Sequence, residues 1–164
     1  MGVVIQGNAL DKLKELPSDS VDCCITSPPY FQLRDYGVEG QIGLENTIDE
    51  YIEKLVIVFR EVRRVLKKDG TLWVNIADCY AGSGKGKGQT TPLAKIQSSN
   101  KGILSIQKFD LLKPSSNGIK PKDLMGIPWL LAIALRDDGW YLRQDIIWQK
   151  PNCMPESVTD RCTK

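Results

Sequence analysis

The sequence predicts an α/β domain with a largely parallel sheet flanked by helices, and three observations carry that prediction. A short apolar run rich in β-formers, Val21-Asp22-Cys23-Cys24-Ile25, is followed by a long amphipathic stripe at helical spacing and then by a second apolar run, Thr71 to Ile76. Strand, helix and strand in that order make a β-α-β unit, whose strands lie parallel. The third observation is a proline pair, Pro28-Pro29, placed just after the first of those strands. Open α/β sheets hold their ligands at the carboxyl ends of strands, so this segment stands at a functional address.

Taken in order, Val3-Val4-Ile5-Gln6 reads as a short strand and Asp11 to Leu16 as a short helix ended by Pro17. Val21 to Ile25 reads as a buried strand. Thr47, with Glu50 three residues on, spells a capping box for the next helix. Leu55, Val58, Phe59, Val62, Val65 and Leu66 give that helix its core stripe, and Asp69-Gly70 ends it. Thr71 to Ile76 is then a strand. Pro121 to Leu135 reads as a second substantial helix with Lys122, Asp123 and Arg136 on its outer surface, and a strand or hairpin follows.

The 164 residues suffice for one compact domain with its own core. No basic leader with an apolar tract is present and no run approaches the length of a membrane span, which fits a cytoplasmic protein. The five cysteines, Cys23, Cys24, Cys79, Cys153 and Cys162, form no Cys-x-x-Cys pair, and histidine is absent. Structural zinc and histidine-based triads are therefore not expected, and the cysteine usage fits a reducing compartment.

From Cys79 to Lys122 the apolar periodicity gives way to glycine, serine, threonine and lysine. Lysines 85, 87, 95, 101, 108, 113, 120 and 122 face the single acid Asp110, so the segment alone carries about +7 while the whole chain is only +2 and the rest is acidic on balance. A long connection of this kind, spanning 79–120, is expected to be a flexible basic loop suited to phosphate contacts, with Lys85 and Lys87 among them. Gly82-Ser83-Gly84 follows a strand and superficially spells a cofactor turn. It lacks a following helix start, a Gly-Lys-Ser/Thr sequence, and a third dinucleotide glycine, whose place Lys87 takes. Asp78, at a strand end beside it, is a candidate to line the pocket.

The segment Thr26-Ser27-Pro28-Pro29-Tyr30 suits a particular chemistry. An exocyclic amino group on a nucleobase is a poor nucleophile because its lone pair is delocalised into the ring, so it must be held by acceptors and oriented toward an electrophile. Pro28 and Pro29 lack N–H donors and restrain the residues before them, which leaves the Ser27 and Pro28 carbonyls as fixed acceptors. The Ser27 hydroxyl adds another, and Tyr30 offers a ring on which an extrahelical base can stack. Phe31 reads equally as a second stacking face or as packing.

These residues resemble the amino-methylating DNA methyltransferases, in the branch whose catalytic motif precedes its cofactor motif. That family writes the segment Asp/Ser/Asn-Pro-Pro-Tyr/Phe/Trp, here Ser27, Pro28, Pro29 and Tyr30. The likeness extends over Gly7-Asn8-Ala9-Leu10, Leu33-Arg34-Asp35-Tyr36-Gly37 and Gly40-Gln41-Ile42-Gly43. It resumes over Lys120-Pro121-Lys122-Asp123-Leu124, Ile127-Pro128-Trp129, Gly139-Trp140-Tyr141-Leu142-Arg143 and Ile147-Trp148-Gln149-Lys150-Pro151-Asn152.

The resemblance implies a partial Rossmann-like methyltransferase fold over 1–164, duplex DNA as partner, and S-adenosyl-L-methionine as methyl donor. It implies methylation of a flipped base, with Ser27 leaning toward N4 of cytosine and N6 of adenine as the alternative. Asn8 and Thr26 fall near the donor, Asn8 where relatives usually carry aspartate. Trp148 and Lys150 lie on the strand beside the flipped base, with core packing the stronger reading for Trp148. The family's glycine-rich cofactor motif is not found, which implies a truncated product, an expressed fragment, or one half of a split enzyme completed by a complementary chain or a second copy. A catalytically inactive DNA-binding fragment is the alternative class, and an RNA-modifying enzyme a more distant one.

Overall fold

The computed structural model describes residues 2–81, 119–120 and 122–152. In chain order the elements are α1 (Ala9–Lys14), β1 (Val21–Thr26), α2 (Ile48–Val65), β2 (Leu66–Val74) and α3 (Ile127–Asp137). β1 and β2 pair in parallel, Cys24 opposite Leu72 and Thr26 opposite Val74, with α2 as the crossover. The parallel β-α-β unit predicted from the sequence is therefore present.

α2 forms where its caps and stripe require it. The Thr47 hydroxyl accepts from the Glu50 N–H at 3.2 Å, while the Glu50 carboxylate accepts from the Asn46 N–H rather than from Thr47 itself, so the capping box closes one residue early. Tyr51, Ile52, Leu55, Val56, Phe59, Val62 and Val65 are buried along one face, and Leu13, Val21, Leu72, Val74 and Trp140 pack around that core. Burial of this stripe supplies most of the helix's stability, since propensity alone contributes little.

Several expected boundaries move. The helix ends at Val65, not at Asp69-Gly70. The Arg64 and Val65 carbonyls, which a longer helix would use, accept instead from the Asp19 and Ser20 N–H groups. Asp69 and Gly70 fall inside β2, at the register shift between the Val21–Leu66 and Cys23–Thr71 pairs. α3 starts at Ile127 rather than at Pro121 because the preceding residues pair elsewhere. Met125 donates to the Cys79 carbonyl, Ala81 to Asp123, and Lys122 to Ala81.

β1, expected as a buried strand, has no fully buried residue and is half-buried on one face only. Val21 and Cys24 meet the core, while Cys23 is exposed and Ile25 is 81% exposed. The α2 face is covered, and among the described residues nothing covers the other. Val3-Gln6 and the stretch after Gly139 are not strands, because among the described residues neither has a neighbour with which to form a ladder. Trp148, expected in the core, is exposed for the same reason. At the far end of α2, Arg60 pairs with Asp138 and Arg63 donates to the Asp138 carbonyl, tying α2 to the end of α3. No described helix is long and apolar enough to cross a membrane.

Candidate active site

Parallel pairing sends the residues after β1 and those after β2 off the same edge of the sheet. The Asn75 N–H donates to the Thr26 carbonyl at 2.9 Å, so the two exits begin hydrogen-bonded to each other. Ser27 is exposed at that edge, Pro28 is buried, and Pro29 and Tyr30 are half-buried. The proline bend is thus rooted in the protein while its serine faces solvent.

Three contacts fix the bend. The Tyr51 hydroxyl, projecting from the first turn of α2, donates to the Pro29 carbonyl at 2.8 Å. Tyr51 is fully buried, and its ring centroid lies 5.3 Å from that of Phe31. Burial first, and the nearby Glu45 carboxylate second, push the Tyr51 phenol well above its ordinary pKa, so it stays a donor. Gly43 closes over the bend with φ +103, and a β-carbon there would stand 3.0 Å from the Tyr30 carbonyl oxygen and 3.3 Å from Pro29 Cβ.

Gly43 is held in turn by Glu45, whose Oε2 accepts from the Gly43 N–H at 2.8 Å. The Glu45 side chain is 1% exposed and pairs through Oε1 with Lys54 of α2 at 2.9 Å. A charge buried this deeply is tolerated only when paired and hydrogen-bonded, as it is here. Gln32 adds a further tie, its N–H donating to the Gly43 carbonyl at 2.6 Å. Its backbone takes a left-handed φ of 49 that few non-glycine residues adopt.

The Pro29 carbonyl is taken by Tyr51, whereas among the described residues nothing donates to the Ser27 or Pro28 carbonyls. The Ser27 hydroxyl lies 3.4 Å from the Tyr30 hydroxyl and donates toward it. That geometry leaves the serine lone pairs open to accept an amino hydrogen. Phe31 is 4% exposed and packs in the core, so of its two expected roles the structure shows packing.

The other sequence-derived candidates are more dispersed. Asn8 caps α1, its Oδ1 accepting from the Leu10 N–H at 2.9 Å. Asp78 caps α3 from a distance, with Oδ2 on the Gly126 N–H at 2.9 Å and Oδ1 on the Ile127 and Cys79 N–H groups. Thr26 is half-buried at the end of β1. Trp148 and Lys150 are exposed, in a stretch without helix or strand. Lys85 and Lys87, with nearly all of the basic segment 79–120, lie outside the described residues. Among the described residues no cluster of cysteine and carboxylate side chains has the makings of a metal site.

Asp78 anchors three backbone donors at once, which makes its removal costly. Asp78→Ala is expected to lower stability by about 1–2 kcal/mol through loss of the α3 cap and its favourable charge at the helix N-terminus. Chemical denaturation should show this as a lower midpoint with an unchanged slope. Nearby, Cys79 is pushed up to about 11 by burial and then by the Asp78 carboxylate, and Cys24 is raised by burial and then by Cys23.

Sequence reasoning missed Tyr51, Gly43, Glu45 and Lys54. Gly40-Gln41-Ile42-Gly43 carries a family likeness without a role attached, and the capping-box helix start places Tyr51 in its first turn. Neither signal reveals that both converge on the proline bend.

A family model described as DNA methylase matches residues 21–164. The type II methyltransferase M.XycI of Xanthomonas campestris pv. cyanopsidis is 52% identical over 158 residues, covering 96% of this chain and 49% of that protein. M.SmaI of Serratia marcescens is 51% identical over 161 residues, covering 98% and 52%. M.Cfr9I of Citrobacter freundii is 49% identical over 162 residues, covering 98% and 50%. The chain spans about half the length of the curated relatives it matches. No solved structure matches it. A matching family model over most of the chain, and half-identical relatives across nearly all of it, make this chain a member of the amino-methylating DNA methyltransferase family.

Proposed function

We propose that this chain is the base-binding part of a DNA methyltransferase that methylates the exocyclic amino group of a flipped base, N4 of cytosine in preference to N6 of adenine. The observation that carries the reading is the bend with an exposed Ser27 and two carbonyls without donors among the described residues, at the carboxyl edge of a parallel sheet. A base leaving the duplex costs a few kcal/mol of stacking and pairing, which the pocket must recover. Tyr30 supplies a ring for stacking, and Ser27 with the Pro28 carbonyl accepts the amino hydrogens. Those acceptors raise electron density on the nitrogen and orient it. Ser27, a weaker acceptor than a carboxylate, favours the cytosine amino group.

S-adenosyl-L-methionine is the donor implied by the family, supplying an electrophilic methyl group. The donor candidates of this chain do not make a cradle for it. The Asn8 amide oxygen and the Asp78 carboxylate are committed to backbone N–H groups, while the Thr26 hydroxyl has no hydrogen-bond partner among the described residues. The role assigned to these residues therefore concerns the base. The same commitments favour, as a second reading, a DNA-binding fragment that does not bind donor by itself.

Incubation with labelled S-adenosyl-L-methionine and duplex DNA tests the proposal, with the chain alone and mixed with the half of M.XycI that it does not match. Nucleoside mass spectrometry should find N4-methylcytosine. Ser27→Ala should lower kcat about 100-fold, the scale of one lost transition-state hydrogen bond, with DNA affinity nearly unchanged. Label on RNA only, or none in the presence of the complementing half, would overturn it. The lysines of 79–120 enter as phosphate contacts. Deleting residues 82–118 should flatten the salt dependence of DNA binding by roughly 0.9 in slope for each phosphate no longer neutralised, and an unchanged slope would exclude them.

A further inference from the structure

We infer that Glu45 is a positioning residue for amino-group methylation, a buried carboxylate that sets the proline bend through Gly43. The inference rests on the proposed function and deepens it, since it names a group that touches neither base nor donor yet governs where the acceptors stand.

Among the described residues Glu45 is the one charged side chain that is buried. Taking a carboxylate out of water is expensive, and an apolar side chain of similar volume commonly serves stability as well or better. Bulk stability therefore does not account for it. Its pairing is incomplete besides: Oε2 accepts from the Gly43 N–H at 2.8 Å, while Oε1 has the Lys54 ammonium at 2.9 Å in an alignment that pairs charge without making a hydrogen bond. Nor does the start of α2 call for this carboxylate, because Thr47 and Glu50 supply the caps there.

The residue that Glu45 holds is the point where the chain comes back against the bend. Gly43 lies so close to the Tyr30 carbonyl and the Pro29 side chain that a β-carbon has no free space, and its own carbonyl accepts from the Gln32 N–H at 2.6 Å. Gln32 also reaches Glu45 directly, its side-chain amide donating to the Glu45 carbonyl at 3.3 Å. Residues 29–32 are thus fastened to 43–45 at several points. Gln32 pays for this with a left-handed φ of 49, and strain of that kind persists only where the surroundings enforce it, most often at functional sites. A buried charge and a strained residue, both unfavourable alone, therefore belong to one set of contacts directly after Ser27 and Pro28. Their common effect is to fix the bend.

Replacing Glu45 isolates this role, because Lys54 is half-exposed and is not left as a buried cation when the carboxylate goes. Glu45→Leu removes the acceptor for the Gly43 N–H and keeps the Glu45 backbone carbonyl that Gln32 uses. Glu45→Gln keeps an acceptor and loses the charge, so it should restore most of the function, a bond to a neutral oxygen being roughly half as strong. Val62→Ala, a cavity in the last turn of α2, serves as the control for lost stability alone.

Two measurements decide, both made well below the melting temperature of every variant. Hydrogen exchange of the chain alone, read on peptides spanning 30–34 and 41–45, should quicken about tenfold in Glu45→Leu and less than about threefold in Glu45→Gln and Val62→Ala. In the methyl-transferring mixture, Glu45→Leu should lower kcat about tenfold or more with KM for DNA nearly unchanged, as misplacement of the reacting nitrogen predicts. Glu45→Gln should recover kcat to within about threefold of wild type, and Val62→Ala should keep it within about twofold. Unchanged exchange in Glu45→Leu, a kcat loss no larger than that of Val62→Ala, a loss carried by KM, or failure of glutamine to rescue would each overturn the inference. A wild-type mixture that transfers no methyl group would instead overturn the proposed function, and the exchange result would then decide alone whether Glu45 fixes the bend.

Discussion

Gly43→Val is expected to lower stability by about 3 kcal/mol and to remove methyl transfer by more than 100-fold, the larger loss falling on activity. Two penalties add at this position. With φ +103 the backbone is in a region that a β-branched residue adopts only under strain, a cost of about 1–3 kcal/mol. The new β-carbon would also stand 3.0 Å from the Tyr30 carbonyl oxygen and 3.3 Å from Pro29 Cβ, and overpacking of this kind costs about 1–3 kcal/mol. The bend cannot yield freely, because Tyr51 also holds the Pro29 carbonyl. Thermal unfolding should therefore shift down by roughly 6–12 °C for a chain of this size. Gly43→Ala meets the same contacts with less bulk and should fall between wild type and valine. A valine variant that melts within about 2 °C of wild type would show that Gly43 does not press on the bend.

How much of this was legible in the sequence follows the range of the interactions involved. Local signals were reliable: the Thr47 cap and the stripe from Leu55 to Val65 located α2, and the β-α-β order gave the parallel pairing that puts the proline bend at the sheet edge. The end of α2 was not legible, because the groups that terminate it, the Asp19 and Ser20 N–H donors, lie more than forty residues upstream of the carbonyls they capture. Asp78 shows the same limitation. Its position after a strand suggested a pocket, yet its oxygens serve the N-terminus of α3. Val3-Gln6 and the stretch around Trp148 have strand composition, but a strand exists only when another pairs with it. At the bend, composition singled out the Ser27 and Pro28 carbonyls as candidate acceptors. It could not show that the neighbouring Pro29 carbonyl is occupied from α2 by Tyr51.

That occupied carbonyl separates positioning from bulk stability when Tyr51 is replaced in two ways. Tyr51→Ala removes a fully buried ring that packs against Phe31 and should cost about 3–5 kcal/mol, enough to unfold a chain of marginal stability. Tyr51→Phe keeps the ring and its packing and loses only the hydroxyl, leaving the Pro29 carbonyl without its donor. Its stability cost should be about 1 kcal/mol. Its catalytic cost should be larger than that energy implies, because the Pro29 carbonyl belongs to the residue that follows the proposed acceptor. A bend free to shift by about 1 Å misplaces the amino nitrogen, and misplacement of that size costs on the order of 100-fold. In the complemented enzyme, Tyr51→Phe should lower kcat at least tenfold while KM for DNA moves less than threefold, since phosphate contacts and base stacking do not involve Tyr51. A variant that loses stability but keeps kcat would reduce Tyr51 to a core residue. One that raises KM with kcat intact would place the bend in DNA binding instead of in orienting the amino group.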